Sequence, residues 1–167
     1  MMKQTTDEHF ESWYRKFYPK LVNSLGCYLG DSNLAKQSAD EAIVRAYENW
    51  DRVHKMDSPE GWTYRVGLNW AKRKLRRSKI ERIINSGKRE ETVDEPHGEI
   101  WHIVSKLPER QRQAVALRHL GHMSENEVAK VMKIKRGTVS ATLHQAYKSL
   151  QPKISDDKKI NLTEVTQ

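Results

Sequence analysis

Apolar residues recur along this chain at three- and four-residue intervals, and nowhere in sustained alternation. That periodicity predicts helices and no strands. Phe10, Trp13, Phe17, Leu21 and Leu25 form the stripe of a helix expected from about His9 to Gly30. Asp31 or Ser32 is placed to cap a second helix, from about Asn33 to Trp50. Its inward face is Ala39, Ala42, Ile43, Ala46 and Trp50, with Tyr47 at the border. Its outward face carries Lys36, Gln37, Asp40, Glu41, Arg45 and Glu48. Asp51 to Asp57 reads as a polar loop. Ser58-Pro59-Glu60 then supplies an N-cap, a first-turn proline and a first-turn acid, which together start a third helix. That helix is expected to carry Trp62, Val66, Trp70 and Leu75, with Trp70 in the core and Trp62, near the loop, either a core residue or one free to stack on a base.

The pattern breaks after residue 85. Residues 86–98 contain Gly87, Pro96, Gly98 and several acids with almost nothing apolar, the composition of a linker. Helical spacing resumes near Glu99 with Ile100, Ile103, Val104 and Leu107. Leu107-Pro108-Glu109 opens a helix carrying Val115, Leu117 and Leu120, and Gly121 suits its C′ position. Ser124 and Glu127 then form a capping box, with Met123 and Val128 as its hydrophobic staple. Val128, Val131 and Met132 give one short helix an apolar face. After a short turn, Val139, Leu143, Ala146 and Leu150 give another, leaving Gly137, Ala141, His144, Gln145 and Lys148 outward. Two short helices in this relation read as a helix-turn-helix, whose second helix enters a DNA groove.

The fold class is therefore all-α: two small helical domains joined by a polar linker, the second containing a helix-turn-helix. The first domain spans 8–85, the linker 86–98, the second domain 99–152, and 153–167 reads as a polar tail without order.

Charge sharpens the picture. Thirty Lys and Arg against 22 Asp and Glu give a formal net charge of +8. From Arg65 to Arg89 ten cations face a single acid, Glu81, and they interleave with Trp62, Tyr64 and Trp70. Cations supply phosphate attraction, and aromatics beside them can stack on unpaired bases. The single cysteine, Cys27, allows no internal disulfide and lies in an apolar run as a small core residue. No signal-peptide pattern and no apolar run near membrane-spanning length is present, so a cytoplasmic protein without membrane insertion is expected. Asp40 and Glu41 are adjacent and point in different helical directions, which argues for a docking face over acid–base chemistry. His119 and His122, with His97 and His102 nearby, invite a metal reading, but zinc sites usually need four ligands, the only thiol is far away in sequence, and His122 falls in the approach to the helix-turn-helix, where polar residues are ordinary. No nucleophile elbow or phosphate-binding glycine loop occurs. Neither catalysis, nor a metal, nor a cofactor is expected.

Two regions together resemble an RNA polymerase sigma factor of the extracytoplasmic-function (ECF) group of the sigma-70 family. Leu107-Pro108-Glu109-Arg110-Gln111-Arg112-Gln113 with the helix-turn-helix and Gly137-Thr138-Val139 is similar to that group's fourth conserved region. Ala35 to Trp50, then Ser58 to Val66, with Asn69 and Leu75-Arg76-Arg77, is similar to its second. The resemblance implies that Gln37, Asp40, Glu41 and Arg45 dock on core RNA polymerase. It implies that the loop before Pro59 holds a base flipped out of the minus-ten element, and that Trp62, Arg65, Asn69, Lys72, Arg73, Arg76 and Arg77 bind that element. Lys135, Arg136, Thr138, Ser140, Ala141, His144, Gln145 and Lys148 would face the minus-thirty-five element in promoter DNA. An anti-sigma protein is a further implied partner. The alternatives are a stand-alone helix-turn-helix regulator with a sensing or dimerising front domain, and a protein-interaction module that binds no DNA.

Overall fold

The computed structural model describes residues 2–85 and 103–156, so the linker expected at 86–98 lies outside the described residues. The first half consists of α1 (Met2–Leu29), α2 (Ser32–Glu48), the single turn α3 (Trp50–Val53) and α4 (Pro59–Asn85). The second holds α5 (Glu109–Val115), which runs on through a π-helical turn at Ala116–Leu120, then α6 (Glu125–Met132) and α7 (Arg136–Asp156). The fold is all-α, as the periodicity requires.

Local chemistry sets the helix ends. The Asp31 carboxylate accepts from the Leu34 amide at 2.8 Å and caps α2. The Asn49 side chain donates to the Arg45 carbonyl at 2.8 Å. That bond competes with the helical ladder, so α2 stops at Glu48 and Trp50 is buried from α3 instead. Ser58 Oγ accepts from the Gly61 amide at 3.1 Å and starts α4. At Ser124 the capping box is complete: the Glu127 amide donates to Ser124 Oγ, and the Ser124 amide donates back to the Glu127 carboxylate at 2.8 Å.

The buried face of α4 differs from the expected one. Tyr64, Gly67, Leu68 and Ala71 are buried, whereas Trp62, Val66 and Trp70 are half-buried and Leu75 is 49% exposed. The cause is the closeness of α2. A Cβ at Gly67 would lie 3.1 Å from the Ser38 carbonyl oxygen and 3.4 Å from Ala42 Cβ. Small residues let the two backbones approach, and the indoles are pushed to the flanks.

Gly121 is also corrected. Its φ is −75°, and it is His122 that takes the left-handed conformation, at φ 51°. Gly121 is required for a different reason. The π turn bonds its amide to the Ala116 carbonyl at 3.0 Å and leaves a Cβ only 2.7 Å from the Leu117 carbonyl oxygen. Helix α7 reaches Asp156, four residues into the segment expected to lack order.

Phe17, Leu21, Leu25, Ala39, Ala42 and Tyr64 pack in one half, and Leu107, Leu117, Val128, Val139 and Leu143 in the other, yet all belong to one continuous cluster. Polar contacts reinforce the junction. Arg112 donates to the Tyr28 carbonyl at 3.0 Å and also to the Ser105 and Leu107 carbonyls at 3.0 and 3.3 Å. The Tyr28 hydroxyl donates to Glu109. Elsewhere Ser58 Oγ lies 3.4 Å from Glu127, and Lys130 lies 3.5 Å from Asp57. A Cβ on Gly61 would stand 3.3 Å from Val131 Cγ2. The first helix of the helix-turn-helix therefore rests on the loop that opens α4.

Candidate nucleic-acid and polymerase interfaces

A helix advances about 100° per residue, so Trp62, Arg65, Asn69, Lys72, Arg73 and Arg76 share a stripe roughly 100° wide on α4. The buried Tyr64, Gly67, Leu68 and Ala71 lie on the other side. Asn69, Lys72, Arg73, Arg76 and Arg77 are exposed, and Trp62 and Arg65 are half-buried. Among the described residues no carboxylate stands within ion-pairing distance of Arg65, Arg73, Arg76 or Arg77. Two additions escaped the sequence reading. The Arg52 guanidinium lies 6.0 Å from the centroid of the Trp62 ring, so α3, which takes up the start of the loop expected from Asp51, contributes a cation at the aromatic end of the stripe. Lys72 Nζ lies 5.9 Å from the Tyr28 ring, linking the stripe to the tyrosine that holds the two halves together.

All eight residues expected on the minus-thirty-five face are exposed: Lys135, Arg136, Thr138, Ser140, Ala141, His144, Gln145 and Lys148. Val139, Leu143 and Ala146 anchor the opposite side of α7. A residue the sequence reading passed over shapes this face. Glu125 on α6 accepts from Ser140 Oγ at 2.6 Å and lies 3.4 Å from Arg136. The Ser140 hydrogen bond, with Arg136 adding to it, holds the Glu125 carboxyl below the usual carboxylate range. Arg136 is thereby partly neutralised, and Lys135 and Lys148 carry the remaining charge of the expected set.

The outward face of α2 is built differently. Gln37 and Asp40 are exposed; Glu41 and Arg45 are half-buried and paired at 2.8 Å. Tyr18 donates to Asp40 at 2.5 Å, and Lys74 donates to Gln37. Burial, together with the Asp40 carboxylate, pushes the Tyr18 hydroxyl well above its ordinary pKa. Two large apolar side chains on the same face, Val44 and Tyr47, are 53% and 52% exposed. Apolar groups ringed by polar ones are the composition of a protein-docking patch. Tyr47 was expected at the border of the inward face, and Val44 was not singled out in the sequence.

No helix among the described residues is long and apolar enough to cross a membrane. The sigma-70 region 4 family matches residues 97–150. The chain is 29% identical over 153 residues to the RNA polymerase sigma-E factor of Streptomyces avermitilis, covering 87% of this chain and 84% of that one. It is 26% identical over 167 residues to the sigma-H factor of Pseudomonas aeruginosa, covering 86% of each. It is 25% identical to the ECF sigma factor SigW of Bacillus subtilis, covering 78% and 81%. In fold it is similar to the sigma factor RpoE of Bartonella quintana, solved in complex with the anti-sigma factor NepR. The TM-score is 0.74 at 17% identity, over 89% of this chain and 98% of that one. These relatives align across both halves, which a helix-turn-helix regulator with an unrelated front domain does not account for. Over both halves the chain is similar to RNA polymerase sigma factors of the sigma-70 family, one of them of the extracytoplasmic-function group.

Proposed function

We propose that this protein docks on core RNA polymerase through α2, opens the minus-ten element along α4 and reads the minus-thirty-five element with α7. The observation that carries the reading is the pairing on one chain of an exposed cationic stripe ending in a tryptophan and a helix-turn-helix with its second helix bare to solvent. The stripe suits a melted strand, with cations for phosphates and a loop with Trp62 for an unstacked base. The helix suits duplex. The patch of Asp40, Glu41, Val44, Arg45 and Tyr47 suits a protein partner. An anti-sigma protein that competes for these surfaces completes the set of partners.

Geometry adds a step. Elements about 25 base pairs apart are separated by roughly 85 Å along a duplex at about 3.4 Å per pair. A compact chain of 167 residues is only about 40 Å across. The described arrangement therefore cannot contact both elements at once. Loading on polymerase parts the halves, breaking the Arg112, Tyr28 and Gly61 contacts. The 17 residues from 86 to 102 can span at most about 60 Å when extended, enough to let the halves reach both elements.

The test is a charge reversal of Lys72, Arg73 and Arg76 to Glu together. Promoter opening, read by permanganate reactivity of unpaired thymines, is expected to be lost while core binding survives. Loss of core binding as well, or opening left intact, contradicts these roles.

A further inference from the structure

The cations of α4 do not all lie on the strand-reading stripe. Trp70, Lys74 and Arg77 fall roughly a quarter turn away from it, with Arg73 at the boundary. They face Arg45 on α2, and with Ser78 these residues line a cavity of about 480 Å³. Lys74 is held in place: its Nζ lies 4.9 Å from the centroid of the Trp70 ring and donates to Gln37. Glu41 is the only carboxylate among the described residues within ion-pairing distance of any of the four cations, and it pairs with Arg45. Arg73, Lys74 and Arg77 thus bring about three unneutralised positive charges and a serine hydroxyl to one concavity. Planar guanidinium forks, a fixed ammonium and a hydroxyl are the donor set of a phosphate site. Trp70, expected as a core residue, is here the floor that positions the ammonium.

We infer that this cavity seats a backbone phosphate of the promoter where the strand leaves the reading stripe, on the side away from the base-capturing loop. The inference rests on the proposed sigma function and goes beyond it. It makes Lys74 a binding residue, Trp70 a positioning residue, and the α2–α4 groove a register stop between the docking patch and the melted element. A small polyphosphate anion offers the same chemistry, so the test separates the two sources.

Holoenzyme carrying Lys74→Gln or Trp70→Leu is titrated with fork-junction promoter DNA over a salt series, alongside core-polymerase binding by each variant. Each neutralised phosphate contributes about 0.9 to the slope of log K against log salt. Lys74→Gln is expected to lower the slope by about one, equally for all promoter sequences, with core affinity unchanged. Trp70→Leu is expected to do the same in part. Methylphosphonates placed singly along the backbone should reveal one position that weakens wild-type binding and leaves Lys74→Gln indifferent. An unchanged slope, or a loss that falls on core affinity, overturns the phosphate seat. So does Lys74-dependent binding of inorganic tripolyphosphate to the free chain with no change in DNA binding. If wild-type holoenzyme does not form at all, the sigma reading fails first and the seat falls with it.

Discussion

Arg112 joins the two halves, and its replacement by Gln tests whether the closed arrangement is held as described. The guanidinium makes three hydrogen bonds to backbone carbonyls and lies 5.9 Å from the Tyr28 ring. A shorter, neutral Gln can keep one of the three at most. Hydrogen bonds from a charged group are worth about 1.5–3 kcal/mol each. Arg112 is half-buried, so solvent screening holds the net loss to roughly 2–4 kcal/mol. For a chain of this size each kcal/mol moves Tm by about 2–4 °C, so Tm should fall by roughly 4–16 °C. The lost bond to the Tyr28 carbonyl should also let the halves separate, raising the radius of gyration above the ~15 Å of a compact chain this long. Circular dichroism melts and small-angle scattering read the two effects. Lys130→Gln is the control. Its pair with Asp57 is 61% and 91% exposed, and such pairs contribute about 0–1 kcal/mol. The reasoning is refuted if Arg112→Gln matches wild type in both measurements, or if Lys130→Gln costs as much.

The other predictions concern single groups. Tyr64 is fully buried and its hydroxyl has no hydrogen-bond partner among the described residues, so Tyr64→Phe should hold or raise Tm; a fall of several degrees would reveal a partner for that hydroxyl. Glu125→Gln releases Arg136, so binding of duplex minus-thirty-five DNA should tighten and its salt slope steepen by about 0.9; an unchanged slope means that Arg136 touches no phosphate. Burial pushes the Cys27 thiol up to about 12, outweighing the nearby Arg112, so alkylation at pH 8 should occur only on unfolding. The native state keeps that proton while the unfolded chain releases it from about pH 9, so the thiol's contribution to stability declines as pH rises from 9 towards 12. Burial, reinforced by Arg118 and His122, lowers the His119 pKa, so below about pH 6.5 the unfolded state gains a proton that the native state refuses. Melts should therefore fall with acidification in that window, and His119→Gln should flatten the dependence.

Helix identity was legible because capping and periodicity agree locally. Ser58-Pro59, Ser124 with Glu127, and the stripe of Val139, Leu143 and Ala146 each needed only neighbours a few residues away. Facing was harder. The buried side of α4 is set by Gly67 against Ser38 and Ala42, small residues that carry little hydrophobic signal and matter only once α2 is beside them. The tryptophans carry the stronger hydrophobic signal, yet they lie on the flanks of the helix, half-buried. The same limit hid Arg52, Glu125 and Lys74, whose roles depend on partners 10, 15 and 37 residues away. The closed packing of the halves depends on Arg112 meeting Tyr28, 84 residues earlier, and no local pattern encodes it.

The central claim is that this chain gives core RNA polymerase its promoter choice. It is tested most directly by mixing purified chain with core polymerase and running transcription on genomic fragments. The account predicts a stable complex and discrete run-off products from a small set of promoters that core alone does not use, all lost with the triple reversal of Lys72, Arg73 and Arg76. Failure to bind core, or products identical to those of core alone, would contradict it.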